Sequence, residues 1–175
     1  MANYITVSYD TLLAFTKTAF SYIGCSEADA FAASKALLSA DIRGIDSHGV
    51  ARLSGYIRLW QAGRVNATPH IQIIHATPST ATIDADGALG LVAAQQAMQL
   101  AIKKAKQCGT GWVAVGNSNH FGIAGYHAML ALEHDMIGIA MTNASALVAP
   151  TFGKEKMLGT NPIAVAIPAK TQPPF

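Results

Sequence analysis

His48, Arg52 and Tyr56 stand four residues apart, just behind two good helix-starting residues, Asp46 and Ser47. Val50, Leu53, Ile57 and Trp60 recur at helical spacing until Gly63, so the segment reads as one amphipathic helix. On such a helix the three polar side chains fan across about 80° of one edge. His48 falls in the first turn, where the positive end of the helix dipole disfavours the imidazolium and lowers its pKa. Arg52 can hold a carboxylate through two parallel hydrogen bonds, and Tyr56 can add a third. An imidazole one turn from an anion fork suits proton transfer beside a carboxylate. The same spacing also describes a solvated helix face with a capping serine. Ser47 beside His48 is not by itself a nucleophile–base pair, because neighbouring side chains on a helix point apart.

Two helices must precede and carry this segment. Residues 8–24 read as an amphipathic helix with Leu12, Leu13, Phe15, Phe20 and Ile23 as apolar positions and Gly24 as its stop. Ser26-Glu27-Ala28-Asp29 resembles a capping box with Asp for Glu and opens a helix to about Arg43. Ala30, Ala33 and Ala40 give that helix a close-packing face. Residues 1–68 are therefore expected to form a helical segment and 69–175 an α/β segment, since the period changes at Pro69. Residues 71–75 and 80–84 read as strands, and Asp86-Gly87 as a turn. A long helix follows from about Leu91 to Gln107, ended by Cys108-Gly109.

Residues 112–141 read as a buried strand from Trp112 to Val115, a loop, a helix from Ile123 to His134, and a strand from Ile137 to Met141. That is the pattern of an α/β unit, whose ligands sit at loops following strand ends. The loop Gly116-Asn117-Ser118-Asn119-His120-Phe121-Gly122 is of this kind, and Thr142-Asn143-Ala144-Ser145 repeats the arrangement. Small residues at Gly122, Ala124 and Gly125 permit close approach of a ligand, or mark a structural turn. A final strand is expected from Ile163 to Ile167. The fold class is α/β, a helical N-terminal layer followed by a mixed sheet with helices.

Composition excludes several functions. Half the residues are hydrophobic (51%) and only 13% are charged, which favours burial against a partner, such as a second copy, or against further chain. A net charge of +2 without Lys/Arg runs leaves no footprint for nucleic acid. Cys25 and Cys108 are isolated, which suggests a reducing, cytoplasmic setting. No apolar run is long enough to span a membrane, and Met1-Ala2-Asn3-Tyr4 shows no targeting pattern. Gly109-Thr110-Gly111-Trp112-Val113-Ala114 matches a dinucleotide fingerprint but lies before a strand rather than after one. His120, His127 and His134 recur every seven residues without the pairing of a zinc helix, so no metal is expected.

Asp46-Ser47-His48-Gly49 with Arg52 and Tyr56, then Ser118-Asn119-His120-Phe121-Gly122, then Gly159-Thr160-Asn161-Pro162, resembles the malate/L-lactate dehydrogenase family, in this order and spacing. This is the type with a non-Rossmann nucleotide-binding fold, which includes ureidoglycolate, sulfolactate, diketogulonate and cyclic-imine reductases. The likeness runs through the whole chain but covers about the N-terminal half of such an enzyme, so the fold is expected to be incomplete. It implies acid/base roles for Ser47 and His48, and a grip on the substrate carboxylate for Arg52. It implies contact with NAD or NADP for His120, Phe121, Gly122, Ile123 and Ala124. Thr160, and less directly Tyr56 and Ser145, are implied at the substrate. Either His48 or His120 is the proton donor by this likeness, which also implies a site near a subunit interface; the apolar composition and the Ala-rich helix suggest a homodimer. The substrate would be a small 2-oxo or 2-hydroxy acid such as malate or L-lactate, or a cyclic imine carboxylate. A non-catalytic binding or assembly module is the alternative of another class.

Overall fold

The structure, a computed structural model, describes residues 5–175; the Met1–Tyr4 stretch read for targeting lies outside them. The chain forms two compact units, one through Ile123 and one from Ala124 to Phe175. In the first, α1 (Tyr9–Tyr22) starts where the Ser8 hydroxyl accepts the Thr11 amide at 3.2 Å. It buries Phe20, and Ile23 just beyond its end, and leaves the expected core position Phe15 exposed. Thr16 is fully buried but donates its hydroxyl hydrogen to the Leu12 carbonyl at 2.9 Å, so the polar atom is satisfied.

α2 (Glu27–Asp41) starts at Ser26, whose hydroxyl accepts the Asp29 amide at 3.1 Å. The capping box is modified: Asp29 is too short to reach the Ser26 amide, and its carboxylate accepts the Ser26 hydroxyl hydrogen at 2.7 Å. Ala30, Ala33 and Ala40 are all buried, with Ala36, Leu37 and Leu38 beside them. Small residues let α2 lie between α1 and a second helix, α4 (Gly90–Cys108). The Gln95 amide ties the pair by donating to the Ala32 carbonyl at 2.8 Å.

β1 (Gln72–Ala76) and β2 (Thr80–Ala88) form an antiparallel hairpin, and β2 pairs in parallel with β3 (Trp112–Ser118). The three make a mixed sheet in the order β1-β2-β3, with α4 as the crossover between β2 and β3. The parallel unit is thus β2-α4-β3, one step earlier in the chain than the pattern of residues 112–141 implies. Asp86-Gly87 is a turn in backbone terms, at φ 51° and 70°, yet the chain does not reverse there. The Asp86 carboxylate takes hydrogen bonds from the Asn66 side chain and the His70 amide, both at 2.9 Å. Those bonds hold the irregularity inside β2, and the register with β3 shifts between Asp84 and Ala88. β3 is not buried as its apolar run implies: Trp112 and Val115 are exposed.

The second unit contains α5 (Ala124–Met129) and an antiparallel pair, β4 (Gly138–Met141) and β5 (Ile163–Ala166). The helix expected to reach His134 stops at Met129 because the chain tightens to i→i+3 bonds. The Leu130 amide meets the His127 carbonyl at 3.3 Å and the Ala131 amide meets that of Ala128 at 3.2 Å. Asp135 then turns at φ 54°. His120, His127 and His134 consequently share no helix face, and among the described residues no cluster of three metal-ligating side chains forms.

The fully buried Ala33 gives a test of the small-residue packing of α2. Ala33→Leu is expected to destabilise the protein by about 1–3 kcal/mol through overpacking. The denaturant midpoint measures it, and an unchanged midpoint would mean that α2 has slack there.

Candidate active site

The segment that carries the polar edge is not one helix. Asp46–His48 and Val50–Arg52 are separate 3-10 turns, and only then does α3 (Leu53–Gln61) begin. Gly49 separates the turns with extended backbone at φ −89° and ψ −146°. The cause lies in α2. Its last residue, Asp41, accepts the Val50 amide at 2.8 Å, and its carboxylate packs on the Gly49 α-carbon where any Cβ would collide. Burial raises the Asp41 pKa, the Val50 bond pulls it back, and Asp46 pushes it up again.

His48 is therefore not in the first turn of an α-helix, and the dipole argument for its pKa does not apply. Its pKa is lowered all the same, by burial first and by the Arg52 charge second. The expectation that Ser47 and His48 diverge is also overturned: Ser47 Oγ and His48 Nδ1 lie 2.9 Å apart. A single 3-10 turn has no preceding helical turn to block that rotamer. Arg52 donates from Nε to the Ser47 carbonyl at 2.7 Å. Among the described residues nothing takes its two Nη groups, whose shared edge can still meet a carboxylate.

Tyr56, in α3, is buried, and its hydroxyl lies 2.7 Å from His120 Nδ1. Phe20 backs the Tyr56 ring at 6.2 Å between centroids. Burial pushes the Tyr56 pKa well up, against a smaller opposite pull from Arg52. The His48 and His120 rings are stacked at 5.7 Å. Desolvation lowers the His120 pKa most, with His48 and Arg52 adding to it. Two imidazoles with lowered pKa values, a serine, a phenol and a guanidinium thus converge in the first unit.

The β3 loop that delivers His120 is held by its neighbour. The Asn119 side-chain amide donates to the carbonyls of Gly87 at 2.8 Å, Ala88 at 3.1 Å and Arg64 at 3.2 Å. Gly90 opens α4 without a side chain because the Asn119 and His120 carbonyls press against it. Gly122 turns at φ +78° beneath Leu91 and donates its amide to His120 Nδ1 at 3.3 Å. Gly122 and Ala124 are buried, Phe121 and Ile123 half-buried, and His120 exposed. Residues 118–125 carry no carboxylate, which is compatible with an anionic dinucleotide.

Thr160 and Ser145 lie in the second unit, both exposed on irregular backbone. Asn161, at φ 40°, brings their loops together by accepting the Ala144 amide at 2.9 Å.

The sequence profile described as malate/L-lactate dehydrogenase matches residues 7–175. The chain belongs to that family. It is 49% identical over 171 residues to a malate dehydrogenase of Pyrococcus abyssi, covering 98% of this chain and 47% of that protein. It is 50% identical over 143 residues to an L-sulfolactate dehydrogenase of Methanocaldococcus jannaschii, covering 82% of this chain and 42% of that one. The solved malate dehydrogenase from Pyrococcus horikoshii OT3 superposes with a TM-score of 0.95 at 49% identity, covering 98% of this chain and 49% of the other. The chain spans about half the length of the curated relatives it matches.

Within this family member, sequence reasoning missed Asp41 and gave Asn119 no role. Asp41 left one signal, a carboxylate in the last residue of a helix, where the dipole is unfavourable to it. Asn119 left none, because an amide in a loop rich in Gly, Asn and Ser reads as turn chemistry. Gly49→Ala should force the Asp41 carboxylate off the Val50 amide and cost about 1–3 kcal/mol of stability. Asp41→Asn, which keeps an acceptor oxygen, should cost less. Unfolding midpoints for the two variants give the order, and the reverse order would refute the capping role.

Proposed function

We propose that the protein is an NAD(P)-dependent oxidoreductase that interconverts a 2-oxo acid and its 2-hydroxy acid, of the malate or sulfolactate kind. The observation that carries this reading is Arg52, fixed by the Ser47 carbonyl and with its outer edge open, beside two imidazoles with lowered pKa values. The names of relatives near 50% identity, malate and L-sulfolactate dehydrogenase, support it.

When bound, the nicotinamide supplies or takes the hydride at the carbon that bears the substrate oxygen. Arg52 holds the carboxylate, which turns the reacting carbonyl to a fixed position; this is chiefly an orientation effect. His48 moves the proton at the substrate oxygen, oriented by Ser47. In the first unit the segment His120, Phe121, Gly122 and Ile123 would hold the dinucleotide, with Tyr56 behind His120; Ala124 as a cofactor contact, and Ser145 and Thr160 as substrate contacts, are proposed for the second unit by itself. The free cysteines Cys25 and Cys108 support a cytoplasmic protein. No helix among the described residues is long and apolar enough to cross a membrane.

The test is oxidation of NADH and NADPH by the full-length protein with a panel of 2-oxo acids and a cyclic imine carboxylate. Turnover of an oxo acid is expected, and none with any substrate would defeat the reading. His48→Asn should lower kcat by about a hundred- to ten-thousand-fold with little change in cofactor affinity. His120→Asn should mainly weaken cofactor binding. Arg52→Lys should raise KM for the acid strongly, since an ammonium makes no fork. Burial and Arg52 both oppose the His48 imidazolium, so its neutral form persists as pH falls. The acid limb of hydroxy-acid oxidation should therefore lie below the ordinary imidazole value of 6.5.

The functional unit is a homodimer in this reading, supported by exposed aromatic side chains on the helical layer, Phe15, Tyr22 and Phe31. Sedimentation of the full-length protein should give a dimer; an active monomer would refute it.

A further inference from the structure

We propose that the Gly122 amide fixes His120 as the tautomer with its proton on Nε2, with Tyr56 as the positioning residue that reinforces it through the shorter bond, so that His120 is a hydrogen-bond donor and the base is His48. The inference rests on the oxidoreductase reading only for the word base; the tautomer follows from the geometry of the first unit alone.

The Gly122 amide points at His120 Nδ1 at 3.3 Å, and a backbone amide can only donate. Nδ1 must then carry a lone pair rather than a hydrogen. The Tyr56 hydroxyl, 2.7 Å from the same nitrogen, is thereby the donor of the shorter bond. Tyr56 is only 2% exposed, and burial raises its pKa, so the phenol keeps the hydrogen it donates. The opposite tautomer would crowd an Nδ1 hydrogen against that of the Gly122 amide. The imidazolium would do the same, and His48 and Arg52 oppose it further.

His120 therefore has no lone pair on its outer nitrogen. It can donate to a ligand oxygen but cannot take a proton from a hydroxyl there. His48 differs, because among the described residues its Nδ1 meets the Ser47 hydroxyl, which either donates or accepts, and no backbone amide. The His48 tautomer can thus follow the direction of the reaction, with Ser47 reversing its bond. The two stacked rings are chemically unequal, and the inequality originates in the groups behind them.

Two-bond proton–nitrogen correlation spectra of the full-length protein, labelled with ¹⁵N in its histidine rings, read the tautomer without substrate or cofactor. Loss of one pattern in His120→Asn assigns the ring. At neutral pH His120 is expected to show an unprotonated Nδ1 and a protonated Nε2. In Tyr56→Phe the two nitrogen frequencies should move towards each other as the second tautomer becomes populated. A protonated Nδ1 or an even mixture in the unmodified protein would overturn the proposal, whether or not the variant folds. An unchanged pattern in a folded Tyr56→Phe protein would remove Tyr56 from the role. Absence of turnover would count against the oxidoreductase reading and leave these spectra unaffected.

Discussion

The carboxylate of Asp41 on the Val50 amide is the constraint on which the residues of the first unit's site depend. It anchors a loop to the end of α2, a helix that buries Ala30, Ala33, Ala36, Leu37, Leu38 and Ala40. Ser47 and His48 precede the anchored point, and Arg52 and Tyr56 follow it. A carboxylate at a helix C-terminus, partly removed from water and near Asp46, is unfavourable by itself. The charge-assisted bond to the Val50 amide offsets that cost, and the bare α-carbon of Gly49 makes room for it. The break between the two 3-10 turns follows from this contact. Within the first of those turns the Ser47 hydroxyl lies 2.9 Å from His48 Nδ1.

Much of this architecture was legible in the sequence, and the failures share a cause. Helix termini marked by local chemistry were placed well: Ser26 at the start of α2, and Gly109, left-handed at φ 80°, at the end of α4. The strands and the α/β class were also readable from period. Elements set by distant contacts were not. Residues 46–61 have helical periodicity throughout, but the carboxylate that divides them comes from another helix. β3 has the apolar run of a buried strand, and exposure depends on what covers a face rather than on the run itself. Asp86-Gly87 has turn residues in turn conformation, yet Asn66 and His70 hold the chain on course.

The candidate site was legible in its residue types and illegible in its partnerships. His48 beside Arg52 was visible as spacing, and the fall in the His48 pKa was anticipated in direction with the wrong leading cause. Burial takes the place of a helix dipole that is not there. The bond between Tyr56 and His120 joins positions 64 residues apart, beyond the reach of any local pattern. It depends in turn on the Asn119 amide, whose three carbonyl partners lie in two other parts of the chain.

Ser145 and Thr160 stand on a different kind of backbone from Ser47 and His48. Their loops are exposed and irregular, joined by the Ala144–Asn161 bond and by the Leu147 amide on the Leu158 carbonyl at 2.9 Å. Immobilising one residue of such a chain costs about 1–2 kcal/mol in conformational entropy. Any contact that orders such a loop therefore gains less than the contact itself provides. Replacing a side chain on these loops disturbs no packed core. Substitution there thus comes at small cost to folding.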